Sequence, residues 1–306
     1  MSAELRPRLP RFPHLDVLTL RMSSRMPVGI LCIMSSGLLC CTDVSVTTMQ
    51  YDRRRSDALL DIHKVGAPTN ALGLVYIHGG GWSAGERQDD AATADRLASA
   101  GYVVANIDYR LVPEGTFPLA VQDSFCALAF VQMHANELGI DPTRIVVMGH
   151  SAGGHLAGML AVARDDEVQD PACPWGRAAA PAAAVSVAGP MNLRTISGSP
   201  VTAFVGATLR EDPQRYDRAS PISRVAADSP PFLFVHSKGD LVVNISQSHE
   251  MADALHSVGA SATMMELEGG GHVIGDGPGL GLEEYELATN SPESFLAIDD
   301  FLRGVL

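Results

Sequence analysis

Gly149-His150-Ser151-Ala152-Gly153 constrains this chain more than any other stretch, because of what stands on either side of it. Ile145-Val-Val-Met148 is apolar with no polar face, as in a parallel strand covered on both sides. A helix is predicted from about Ala152 to Ala163. A serine held between small residues on a tight strand-to-helix turn is pushed outward at the top of a sheet, and the following helix aims its N-terminal N–H groups at the same spot. A chain built around such a turn needs a parallel sheet with helices packed on it.

The rest of the sequence supplies the parts. Leu72–Ile77, Tyr102–Ile107, Val185–Ala188, Phe232–His236 and Ala262–Leu267 read as strands, and Ala91–Ala100, Ser246–Val258 and Pro292–Arg303 as helices. Between Phe117 and Leu138, Val121, Phe125, Leu128 and Val131 recur at three- and four-residue steps on one helical face, until Gly139 and Pro142 stop the pattern. Alternation of strand and helix predicts one α/β domain around a mostly parallel sheet. Segment 165–181 reads as a loop, and Leu193–Asp228 as a small excursion over the sheet edge facing the substrate.

Residues 1–46 are expected to be a leader and 47–306 the folded domain. Two arginines precede an apolar stretch from Met26 to Cys41 that is broken by Ser35-Ser36-Gly37 and followed by Thr42-Asp43, the parts of a secretory signal and too short for a comfortable membrane span. Leu38-Leu39-Cys40-Cys41 loosely resembles a bacterial lipobox, in which Cys40 or Cys41 would carry lipid and tether the body to a membrane; a plain signal peptide or an upstream start is the alternative. The body is expected to be exported, or cytoplasmic if the start lies further downstream. Removing residues 1–40 takes away five arginines and two acids and leaves 17 basic against 33 acidic groups, net −16. Such an acidic body disfavours a phosphate-backbone partner, so no nucleic acid is expected. The five cysteines show no zinc spacing and no disulfide framework, so neither a metal nor a bond between Cys126 and Cys173 is expected.

Three segments carry chemistry. Ser151 is the candidate nucleophile. His78-Gly79-Gly80-Gly81-Trp82 follows a strand, and its glycines let backbone N–H groups turn toward a developing oxyanion; Gly80 and Gly81, with Ala152, are the expected donors. Trp82 either stacks on a substrate ring or packs beneath the loop, and His78 is a substrate-side or loop-stabilising residue. Asp240 and His272 each follow a strand, in the order Ser, Asp, His that this kind of turn requires. Asp228, Asp253 and Asp276 lack a strand-end position, and Asp276 is the second candidate acid. His236 precedes the turn, His249 and His256 lie on a helix, and His155 reads as helix packing.

Taken together, HGGGW, GHSAGGHLAG (149–158), Asp108-Tyr-Arg and the late Gly-Asp and Gly-Gly-His pairs resemble the α/β-hydrolase carboxylesterases, above all the hormone-sensitive-lipase-like and BD-FAE-like branch. The likeness spans residues 50–306. It implies an α/β-hydrolase fold with a minimal cap, a Ser151–Asp240–His272 triad, the His78–Trp82 loop as oxyanion hole, no cofactor, and esters of small or medium acyl groups as substrates. Arylformamidases share much of the pattern, so a formamide is the rival substrate, and a catalytically silent binding protein is the rival class. Lys238 stands where the family commonly has a second acid.

Overall fold

Alternation of side-chain direction along buried strands builds two cores, one on each face of the sheet. On strand β3 (Ala71–Ile77), Leu72, Leu74 and Tyr76 point to one side and Val75 and Ile77 to the other, and every one is buried. The computed structural model describes residues 43–269, 271–272 and 292–305.

The eight strands are β1 (Val44–Gln50), β2 (Leu59–Val65), β3, β4 (Val103–Ile107), β5 (Ile140–His150), β6 (Ala183–Val187), β7 (Phe232–Ser237) and β8 (Ala262–Leu267), in the sheet order β1-β2-β4-β3-β5-β6-β7-β8. β1 pairs antiparallel with β2 and β2 antiparallel with β4; from β4 to β8 all neighbours run parallel. The helices are α1 (Ala91–Ser99), α2 (Leu119–Met133), α3 (Ala135–Leu138), α4 (Ala152–Val162), α5 (Ser199–Val205), α6 (Pro213–Arg218), α7 (Ser246–Ser257) and α8 (Pro292–Val305). One core joins α2, α4 and α7 to the sheet; the other joins α1 and α8 to its opposite face through Leu97, Ile298 and Leu302. Among the described residues no helix is long and apolar enough to cross a membrane.

Three expectations change. The first strand takes in Val44, Ser45 and Val46, so the boundary expected after residue 46 falls inside β1; residues 1–42 lie outside the described residues, and with them Cys40 and Cys41. The helix expected across 117–138 is two helices, and α2 is covered on all sides rather than on one face: from Ala120 to Val131 all but Gln122 are buried. The cover is segment 165–181, a loop as expected, and it is bonded to the helix. Cys126 on α2 and Cys173 in the loop form a disulfide across 47 residues with Cα atoms 5.7 Å apart, against the expectation of two free thiols. Trp175 wedges beside it, edge-on to Phe130 and His134, so packing brings the two sulfurs together where spacing gives no sign of it.

The excursion after β6 consists of α5, α6 and a 3₁₀ turn at Pro221–Arg224. It is anchored back toward the sheet: the Phe117 N–H donates to Phe204 O at 2.7 Å, and Arg215 donates to Phe117 O at 2.7 Å.

Candidate active site

Parallel strands bring their C-terminal ends to one edge of the sheet. Ile77 of β3 lies beside Gly149 of β5, His150 beside Val187 of β6, and Ser237 of β7 beside Leu267 of β8. The loops that leave these ends carry the predicted side chains.

Ser151 sits between β5 and α4 at φ 55° and ψ −119°, a conformation costly for a residue with a Cβ. Its N–H donates to Val187 O at 2.8 Å, and its carbonyl accepts from the His155 N–H at 3.0 Å, which closes the first turn of α4. The bend is tight enough that its flanks must be glycine. A Cβ on Gly153 would fall 1.9 Å from the Ile77 carbonyl oxygen, and one on Gly149 would fall 2.5 Å from the Gly153 backbone.

His272, after β8, meets the serine. Its Nε2 lies 2.7 Å from Ser151 Oγ and its Nδ1 2.7 Å from Asp240 Oδ2. Asp240 is buried in the turn after β7, and its Oδ1 accepts the N–H groups of Val242 and Val243, each at 2.9 Å. Burial alone would raise this carboxyl's pKa; hydrogen bonds from His236 and His272, the His272 charge and the Val243 N–H outweigh it and hold the group well below the usual carboxylate range. Ser151, His272 and Asp240 are thus brought together as one row. Lys238 points elsewhere, to Glu268 at 2.5 Å and Glu266 at 3.5 Å. Asp276 lies outside the described residues.

The 78–82 loop passes directly over the serine. A Cβ on Gly79 would reach within 3.4 Å of the Ser151 Cβ, and Gly80 (φ 104°) and Gly81 (φ 60°) carry the chain through left-handed conformations. The Gly80 carbonyl accepts from the N–H groups of Ser83 and Ala84, at 3.1 and 3.0 Å. Among the described residues the N–H groups of Gly80, Gly81 and Ala152 donate no hydrogen bond to protein. Asp108-Tyr109-Arg110 buttresses the loop from behind. Tyr109 stacks on His78 with centroids 4.4 Å apart and donates to His78 O at 3.1 Å, while Asp108 accepts Arg87 and Arg110 pairs with Asp123.

Both aromatic residues of that loop turn inward, so of the two expectations for each it is packing and loop support that the structure shows, and substrate contact that it overturns. Trp82 is 3% exposed, stacks on Phe204 at 4.5 Å, and donates its indole N–H to His155 Nδ1 at 3.3 Å. His78 is 1% exposed and donates Nδ1–H to the Gly79 carbonyl at 2.7 Å; burial lowers its pKa. His155 packs as expected: its Nε2–H donates to Ala219 O at 2.8 Å, and burial lowers its pKa to about 4.

Two histidines were missed as parts of the site. His150, next to Ser151, donates Nε2–H to the His272 carbonyl at 3.0 Å; burial, then the His272 charge, lower its pKa to about 4, so it stays neutral. His236 touches Asp240 itself, with Nε2 3.3 Å from Oδ2. The one available signal was its place at a strand end four residues before the acid.

A family model described as BD-FAE matches residues 60–255, more than half of the chain and inclusive of Ser151 and Asp240. The chain belongs to the BD-FAE family. Its similarity to esterase LipC of Mycobacterium tuberculosis is 31% identity over 209 residues, covering 65% of this chain and 52% of LipC. This family member therefore spans about half the length of the curated relatives it matches. Among solved structures, a truncated carbohydrate esterase from gut microbiota aligns with TM-score 0.71 and 25% identity, covering 85% of this chain and 96% of that one. Butyrate-bound esterase 2 of Thermogutta terrifontis aligns with TM-score 0.70 and 23% identity, covering 85% and 94%. The architecture is the α/β-hydrolase fold.

Proposed function

We propose that this BD-FAE member is a serine hydrolase that cleaves carboxylic esters of small or medium acyl groups through Ser151, His272 and Asp240. The observation that carries the reading is the imidazole of His272 in hydrogen-bond contact with Ser151 Oγ and Asp240 Oδ2 at once, 2.7 Å to each. Asp240 accepts Nδ1–H and so fixes the tautomer in which Nε2 is free to take a proton. Ser151 Oγ attacks the ester carbonyl carbon while its proton passes to Nε2. The C–O bond to the leaving alcohol breaks with the electron pair on that oxygen, which receives the proton. Water then repeats the path, its proton going to His272 and its oxygen to the acyl carbon, and the acid leaves as Ser151 is reprotonated. The charge on the carbonyl oxygen in each half-reaction rests on the N–H groups of Gly80, Gly81 and Ala152, fixed before reaction and otherwise unused.

The excursion after β6 is built of short helices, Ser199–Val205 and Pro213–Arg218, which favours modest acyl groups. Acetylated or feruloylated polysaccharide is the substrate class best suited to an exported member, and the likeness to a carbohydrate esterase supports it. The Cys126–Cys173 disulfide favours an oxidising compartment and hence export. The test is a substrate panel on protein lacking residues 1–42. Hydrolysis of p-nitrophenyl acetate that disappears in Ser151→Ala is expected; turnover of N-formylkynurenine alone would replace esters with formamides, and turnover of neither would leave a binding protein.

A further inference from the structure

We propose that His236 is a positioning residue for this site: it holds the oxygen of Asp240 that receives His272 and so sets the orientation and basicity of the His272 imidazole. The inference rests on the triad reading and extends it by one residue.

His236 is completely buried at the end of β7. Its Nε2 faces two oxygens that only accept, Val243 O at 2.8 Å and Asp240 Oδ2 at 3.3 Å, so Nε2 must carry a proton. Its Nδ1 lies 2.7 Å from the hydroxyl of Ser248, buried in the first turn of α7, which donates to it. Ser248, His236, Asp240, His272 and Ser151 thus stand in one row with the carboxylate in the middle, joined by hydrogen bonds except at the 3.3 Å contact between His236 and Asp240. Asp240 accepts three hydrogen bonds, two from N–H groups on Oδ1 and one from His272 on Oδ2, and the Nε2–H of His236, which donates to Val243 O at 2.8 Å, also lies 3.3 Å from Oδ2, so the carboxylate plane is held from both sides. His236 also ties Val243 O to the strand, so the turn and the carboxylate are held by one ring.

The chemical consequence has a sign. An N–H on Oδ2 withdraws charge from the oxygen that stabilises the His272 imidazolium, so losing it makes His272 a stronger base that protonates at higher pH. The groups that bear on this ring are Asp240 from the turn after β7, His272 from the loop after β8, His150 at the end of β5, and the Ser248 hydroxyl on α7.

The test is the rate at which a fluorophosphonate labels Ser151 as a function of pH, which needs no known substrate. His236→Leu is expected to label about tenfold or more slowly, with its acid limb moved to higher pH by roughly half a unit or more. His236→Gln, which keeps an N–H within reach of Oδ2, is expected to recover most of the rate and return the limb. Should His236→Leu not fold, Ser248→Ala decides, with a smaller shift of the limb in the same direction. Folded His236→Leu with the parent's rate and limb would overturn the proposal and leave the triad standing, as would an unmoved limb in Ser248→Ala. Parent protein that does not label at all would overturn both.

Discussion

The two halves of the site are held by different physics. The serine half, Gly149–Gly153 with the 78–82 loop, lies at the centre of the sheet and is fixed by backbone: glycines so close to a carbonyl that no side chain fits, and a serine at φ 55°. The aspartate–histidine half, Asp240 and His272, lies at the ends of β7 and β8 and is fixed by side-chain hydrogen bonds from His236 to Val243 O and from His150 to His272 O, and by two N–H groups of one turn. Steric exclusion makes the first half nearly all-or-none, whereas the second can be altered one hydrogen bond at a time with the sheet intact.

That contrast predicts two kinds of failure. The largest effect is expected from Asp240→Asn: a neutral amide no longer fixes the tautomer of His272, and kcat falls on the order of 10³–10⁴-fold, about 4–5 kcal/mol in the barrier, in a protein that still folds but melts at a lower temperature, because the amide NH₂ must face a group that donates to the carboxylate. Steady-state kinetics beside calorimetry would check both parts. Gly153→Ala should fail the other way, since the added methyl would overlap the Ile77 carbonyl at 1.9 Å. The expected loss is about 3 kcal/mol or more of stability, read as a lowered urea midpoint or as insoluble protein. Breaking the Cys126–Cys173 bond separates the two kinds of failure, because it joins α2 to segment 165–181, neither of which carries a residue of either half. Cys126→Ser with Cys173→Ser is expected to cost about 2–4 kcal/mol of stability, while activity per folded molecule stays within about twofold. A large drop in that activity would tie the bridge to the site.

The same contrast explains what the sequence reveals. Steric constraint leaves a mark in residue type, so the strand, the glycines, the serine and the helix at 145–163 are legible as a run, and the partners in the row follow from chain order and strand ends. Hydrogen-bond support leaves no such mark. His236 and His150 are ordinary histidines until the sheet brings β5, β7 and β8 side by side. Trp82 shows the reverse: an aromatic ring beside a glycine loop suggests a binding surface, yet Phe204, 122 residues later, is what covers it. β1 is hidden for another reason. Val44–Gln50 begins just after the apolar run that ends at Cys41, so its alternation merges into that run, and only pairing with β2 gives it a register. The disulfide is illegible because 47 residues separate two lone cysteines.

Everything chemical here depends on His272 acting as a base toward Ser151. Mass spectrometry after a short exposure to a fluorophosphonate tests this most directly, comparing the parent chain with Ser151→Ala and His272→Ala. A single adduct on Ser151 in the parent, none in Ser151→Ala and only a trace in His272→Ala is the expected result. Labelling of Ser151 that proceeds equally fast without His272 would contradict the account.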